Sequence, residues 1–163
     1  MKKLTLILSP LLLITLLFPS LAFGVTVDDL VVREGLAYRK GTDVPFTGKT
    51  TGKKQWSFKD GKRDGPSIEY YDNGQLQLKA NYKDWKQIGP YIEYHKNGQL
   101  WSKGTFKNDE MEGPWVSYLE NGQLRSKGTY KNGYKDGPWV SYKKDGTVWE
   151  EYTGTYKNGL KVK

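Results

Sequence analysis

A chain with one histidine and no cysteine has few ways to do chemistry. Without a thiol there is no thiolate nucleophile, no zinc–thiolate cage and no disulfide. His95, the single histidine, is matched at one fixed interval along the chain by Tyr71, Leu119 and Lys143. A position that varies in this way reads as an exposed strand end, with no partner set for a general base or a metal. Glu69 and Glu93 come nearest to a carboxylate pair, but two strand spacings hold them about 10 Å apart, which is loose even for an inverting glycosidase. They read as part of a solvated strand face. The run Lys107-Asn108-Asp109-Glu110-Met111-Glu112 lacks the spaced oxygens and the glycine of an EF-hand loop, and no glycine-rich stretch opens a helix that could hold phosphate. The expectation is a protein that is not an enzyme, with no catalytic, cofactor-binding or metal-binding residues.

The remaining candidates are cations and indoles, and they recur. Gly65-Pro66, Gly89-Pro90, Gly113-Pro114 and Gly137-Pro138 follow one another at that same constant spacing. Tyr70, Tyr94, Tyr118 and Tyr142 keep the period, as do Gly74, Gly98, Gly122 and Gly146 and the series Phe58, Tyr82, Phe106 and Tyr130. A period of this size marks one supersecondary unit stacked on copies of itself. The segments Trp115 to Tyr118 and Gln123 to Tyr130 alternate with period two and are rich in β-formers. Between them Glu120-Asn121-Gly122 is a hairpin signal. A three-residue loop pairs Tyr118 with Leu124 and requires a type I turn with Gly122 left-handed, where a Cβ would be strained. The connection between units, through Lys83-Asp84-Trp85, Lys107-Asn108-Asp109 or Lys131-Asn132-Gly133, has variable residues and its register stays open.

Parity then assigns faces. One, expected to pack, carries Ile68, Tyr70, Leu76, Ala80 and Tyr82 and their counterparts in later units. The other carries Lys79, Lys103 and Lys127 with Trp101, Arg125 and Trp149, and, in the same register, Trp115 and Trp139: lysines interleaved with indoles. With two strands per unit at about 4.8 Å each, five units make a ribbon about 50 Å long. The fold class expected is all-β, an elongated single-layer antiparallel sheet of tandem 24-residue hairpin repeats.

The ends differ from the middle. Lys2 and Lys3, the apolar run from Leu4 to Phe18, and the small-residue exit at Ala22-Phe23-Gly24 make residues 1 to 24 a secretory signal peptide. Residues 25 to 64 form a capping segment with a partial repeat, 65 to 146 the tandem repeats, and 147 to 163 the end of the last unit and its cap, the outer units shielding open sheet edges. Of the 26 basic residues, Lys2 and Lys3 leave with the leader, so 24 remain against 18 acidic ones, a net charge of +6. The product is expected to be exported, periplasmic or secreted. Aromatic residues at 14% and regular spacing argue for a folded chain despite 19 glycines.

The pattern "GPWVSYLENGQLRSKGTYKNG" resembles the MORN repeats (membrane occupation and recognition nexus), in the bacterial variant found in YwqK-family antitoxins. The resemblance spans residues 44 to about 159, with "DVPFTGK" at 44 to 50 as its opening unit. It implies a sheet of hairpins serving as a binding or scaffolding surface for protein partners or lipids, with no catalytic residues to carry over. Three readings suit the Lys and Trp face. Solubilising lysines alone need no occupant. A protein partner suits Trp and Arg anchors, and an antitoxin or immunity role would be one form of it. An anionic envelope lipid or glycan suits lysines with indoles. Nucleic acid would suit the same side chains but is disfavoured by the export signal.

Overall fold

The computed structural model describes residues 24–163; the signal peptide read at residues 1 to 24 lies outside them except for Gly24. The described chain is antiparallel β-structure with two short 3-10 turns, at Val27–Asp29 and Glu150–Tyr152. Strands β1 (Leu30–Arg33) and β2 (Leu36–Arg39) form their own hairpin, and β3 (Gly48–Lys49) and β4 (Lys54–Lys59) open the main sheet. Three hairpins follow: β5 (Lys62–Tyr70) with β6 (Leu76–Lys83), β7 (Lys86–Tyr94) with β8 (Leu100–Lys107), and, after β9 (Glu110–Met111), β10 (Gly113–Tyr118) with β11 (Leu124–Lys131). The last unit comprises β12 (Tyr134–Lys135), β13 (Gly137–Ser141), β14 (Gly154–Lys157) and β15 (Leu160–Lys161). The main sheet holds 13 strands in sequence order, except that the two-residue strands β9 and β12 pair only with the strand before them, so that β10 lies beside β8 and β13 beside β11. Such an order needs only tight turns.

Two kinds of turn line the two edges. Within each unit the three-residue loop forms as the sequence requires: Tyr70 pairs with Leu76, Tyr94 with Leu100 and Tyr118 with Leu124. The Gly122 N–H donates to Leu119 O at 2.9 Å and Gly122 is left-handed at φ 82. Between units the register left open is a two-residue type I′ turn, because Lys83 faces Lys86, Lys107 faces Glu110 and Lys131 faces Tyr134. That turn requires positive φ at both central residues, and Trp85 and Asp109 accept it at φ 70. A tryptophan at a position that favours glycine hid the turn from a sequence reading.

The face assignment differs from expectation, and a β-bulge is the reason. Ser117 pairs with Ser126 but Tyr118 with Leu124, leaving Arg125 as an extra residue; Trp101 and Gln77 are the extra residues of the preceding units. One inserted residue reverses parity for everything beyond it. Val116, Tyr118 and Leu124 therefore share the face of Lys127, whereas Gly128 and Tyr130 lie on the opposite face, with Trp115 directly across from Gly128. The expected packing face is split between the two sides of the sheet.

The side that packs is aromatic. Tyr91 stacks on Trp115 with ring centroids 5.6 Å apart, Phe106 meets Trp115 edge-on at 5.5 Å, and Tyr130 links Trp115 at 5.9 Å to Trp139 at 4.9 Å. Edge-to-face pairs of this kind add to the burial of the rings themselves. At the amino-terminal end Ala37, Phe46 and Phe58 form a buried cluster with Trp56 and Trp85 against it. The Trp85 indole N–H donates to Gly35 O at 2.8 Å, tying the β1–β2 hairpin to the array.

Candidate functional site

On the face opposite the rings, cross-strand pairing builds an unbroken row. Gln55 pairs with Ile68, Ile68 with Lys79, Lys79 with Ile92 and Ile92 with Lys103. Lys103 then pairs with Val116, Val116 with Lys127 and Lys127 with Val140. Lysines thus alternate with β-branched residues across the sheet, one cation every second strand or about 10 Å. All three lysines are exposed, and none makes a salt bridge among the described residues. Beside the row Pro90 pairs with Thr105 and Pro114 with Thr129, and Pro138 continues the line. Prolines here donate no ladder hydrogen bond. From Pro90 and Ile92 to Pro138 and Val140, with Lys103 and Lys127 between them, this part of the face floors a groove of about 760 Å3.

The tryptophans expected among these lysines lie elsewhere. Trp115 and Trp139 belong to the ring face; Trp139 is 4% exposed and its indole N–H donates to Thr129 O at 2.9 Å. Trp101, at a bulge, tilts against the His95 ring at 5.8 Å. Arg125, at the next bulge, opens with Trp149 onto a cleft beside Trp115 and Trp139. Of the residues expected on one mixed face, the structure keeps Lys79, Lys103 and Lys127 together. It gathers Arg125, Trp115, Trp139 and Trp149 on the reverse side.

The polar groups of the ring face are held in place by one another. Arg63 lies 4.0 Å over the Trp56 ring and 3.7 Å over Tyr82, donates to the Ser67 hydroxyl and stands 3.9 Å from Glu69. Burial pulls its guanidinium below the usual range, partly offset by Tyr82 and Glu69. Glu69, with its side chain 17% exposed, also accepts the Trp56 indole N–H at 2.9 Å. Glu93 accepts the Tyr91 hydroxyl, and burial raises its carboxyl above the usual range. The two glutamates are therefore half-buried structural acceptors, which corrects the solvated-face reading: alternate positions turned toward the rings are desolvated. His95 is a link too, its Nε2 lying 3.1 Å from Tyr118 O where Tyr71 of the preceding unit donates its hydroxyl to Tyr94 O at 2.8 Å.

Sequence reasoning set Lys79, Lys103 and Lys127 on one face but interleaved them with indoles in place of Ile68, Ile92, Val116 and Val140, because it counted through the bulge. A signal was present in a different pair of positions. Trp56 adjoins Ser67, Ala80 adjoins Tyr91, Gly104 adjoins Trp115 and Gly128 adjoins Trp139, each pair separated by the same length of chain. Where one member is large the other is small. A Cβ on Gly104 would overlap the Trp115 ring and one on Gly128 the Trp139 ring. Such size exchange is what contact across a packed face demands, and it sets Trp115 and Trp139 on the face of the glycines, away from the lysines.

Comparison with known families gives a match to the MORN repeat variant over residues 63–84, 87–108 and 111–132. These are three consecutive units, each running from one inter-unit turn toward the next. No curated protein matches the chain.

Proposed function

We propose that this chain, with its consecutive MORN-variant repeats, is an exported, non-enzymatic binding module that docks an acidic protein partner along the lysine row. One observation carries the reading: three exposed lysines, free of salt bridges among the described residues, at even spacing on an apolar floor of Ile92, Val116, Val140 and prolines. An apolar centre with polar posts suits a protein interface, where charge complementarity supplies orientation and on-rate. The stiffness of a hydrogen-bonded sheet holds the posts in register, so binding orders the lysine side chains but not the backbone. Half-buried Glu69, Glu93 and His95 have their polar atoms engaged within the sheet, which favours a surface role over turnover. A toxic protein as the partner is the immunity form of the same reading, supported by the likeness to YwqK-family antitoxins.

Crosslinking pulldown of the mature chain from the cell envelope tests it. The expected result is a partner recovered by wild type and lost from Lys79→Glu/Lys103→Glu/Lys127→Glu, with circular dichroism unchanged because all three side chains are exposed. Recovery of the same partner by the triple variant overturns the docking face. Flotation with anionic vesicles at low salt is the second arm: lysine-dependent binding there, with no protein captured, selects an anionic envelope surface instead.

A further inference from the structure

The repeat is broken once on the ring face, and the break builds a cleft. Between Gly146 and Tyr156 the last unit is longer than its predecessors by a two-residue insertion. The added length forms the 3-10 turn Glu150–Tyr152, which sets Trp149 and Tyr152 edge-to-face at 4.6 Å as an exposed wall. Departures from a repeat concentrate where a surface is used. Behind the wall lies a space of about 500 Å3 reaching Trp115 and Trp139.

Its chemistry is mixed and cationic. The Ser117 and Ser126 hydroxyls share one hydrogen bond of 2.8 Å, leaving one O–H and spare lone pairs directed at no protein atom. Arg125 opens into the cleft with no salt bridge among the described residues. Lys135 lies 4.6 Å over Trp139 and 4.8 Å over Tyr156, also without a salt bridge there, and burial depresses its ammonium below the usual range. At the rim the Glu151 carboxylate, by charge and by hydrogen bond, raises the Tyr152 hydroxyl above the usual tyrosine range. Two cations face indoles and hydroxyls.

We propose that this cleft binds an acidic saccharide, a sugar ring bearing a carboxylate of the uronic acid class. Arg125 and Lys135, which both line the cleft, each take a carboxylate of the saccharide, the Ser117 and Ser126 pair exchanges hydrogen bonds with ring hydroxyls, and the C–H face of a ring lies on the Trp149 indole. A planar guanidinium suits a carboxylate bidentately, and an open groove with aromatic walls accommodates a chain of rings. The site is on the opposite side of the sheet from the lysine row, so it stands independently of the docking reading.

The probes are tri-galacturonate and, as a neutral control, maltotriose, titrated by calorimetry and by quenching of tryptophan emission. Tri-galacturonate is expected to bind and maltotriose to bind at least tenfold more weakly. Arg125→Gln and Lys135→Gln should each weaken tri-galacturonate binding by about tenfold, as expected for loss of one charge-assisted contact. Both variants are expected to fold, since Gln77 and Gln87 fill the equivalent positions of an earlier unit. Lys103→Gln, on the other face, should leave it unchanged. No binding of tri-galacturonate at millimolar concentration, equal binding of maltotriose, or an equal loss in Lys103→Gln overturns the proposal. Loss of the protein partner in the lysine triple variant, with tri-galacturonate binding intact, separates the two sites.

Discussion

At the residue scale the array is governed by exchange of volume between neighbouring units. Gly104 and Gly128 are not turn glycines; each leaves room for the indole of the next unit, and Ala80 suffices where the neighbour is Tyr91. Interiors at crystal-like density do not absorb even a methyl group freely. Gly128→Ala is therefore expected to cost about 1–3 kcal/mol in urea unfolding. The loss should be partly recovered in Gly128→Ala/Trp139→Tyr, which recreates the Ala80–Tyr91 pairing, so the double-mutant cycle should show a coupling of the sign that marks contact. Additive effects would show that Gly128 is needed for its backbone rather than for space. Trp139→Tyr alone sets the baseline, since it also gives up the indole N–H to Thr129 O.

At the element scale the units are joined along one edge by asparagine. Asn97 Oδ1 accepts the Gln99 N–H at 3.0 Å, shaping its own turn, and Asn97 Nδ2 donates to Glu120 O of the next unit at 2.7 Å. Asn121 shapes its turn in the same way but directs Nδ2 to Gln123 Oε1 at 2.9 Å, inside the unit. Each Asn→Asp change keeps the turn acceptor and removes one Nδ2 donor, but at Asn97 it also sets a carboxylate against Glu120 O of the next unit, whereas Asn121 loses a contact to a free side chain of its own unit, so Asn97→Asp should cost more, by up to about 1 kcal/mol. Urea unfolding at neutral pH checks the difference; equal costs would mean the bridge between units adds nothing beyond the contact inside one unit. Much of this element was legible beforehand. The Asn-Gly signals, the three-residue loop and the Tyr118–Leu124 pair follow from turn chemistry and local apolar pattern. The faces beyond Arg125 did not follow, because the bulge residue has no type of its own: Gln77, Trp101 and Arg125 share neither size nor charge. Alternation counted through such a residue puts Trp115 and Trp139 on the wrong side. The type I′ turns were hidden for a related reason, since Trp85 and Asp109 adopt positive φ under tertiary constraint, Trp85 gaining contact with Phe58 at 6.1 Å.

At the scale of the whole molecule, a sheet whose hairpins follow sequence order makes its contacts along the array mainly between adjacent units, the Trp85–Gly35 tie at the amino-terminal end aside, so stability is close to a sum of unit and interface terms. Removing one whole period should then leave a folded, shorter sheet, provided the new neighbours fit. The volume pairs say which deletion fits. Deleting residues 113–136 joins Glu112 to Gly137 and brings Gly104 beside Trp139, a glycine–indole contact the chain already uses. Deleting residues 89–112 joins Ile88 to Gly113 and brings Ala80 beside Trp115, where a Cβ and an indole compete for one space. Both variants lose one period of equal length, and the surface exposed on unfolding, hence the urea m-value, should fall alike in the two. The first should keep its cooperative transition; the second should unfold at lower urea and regain about 1–3 kcal/mol on Ala80→Gly. Rescue in the second and none from the same substitution in the full-length chain, where Ala80 meets the smaller Tyr91, would locate the specificity of unit stacking in this one contact. If both deletions unfold at the same urea concentration, the ring face tolerates either neighbour and stacking order is set by the turns instead.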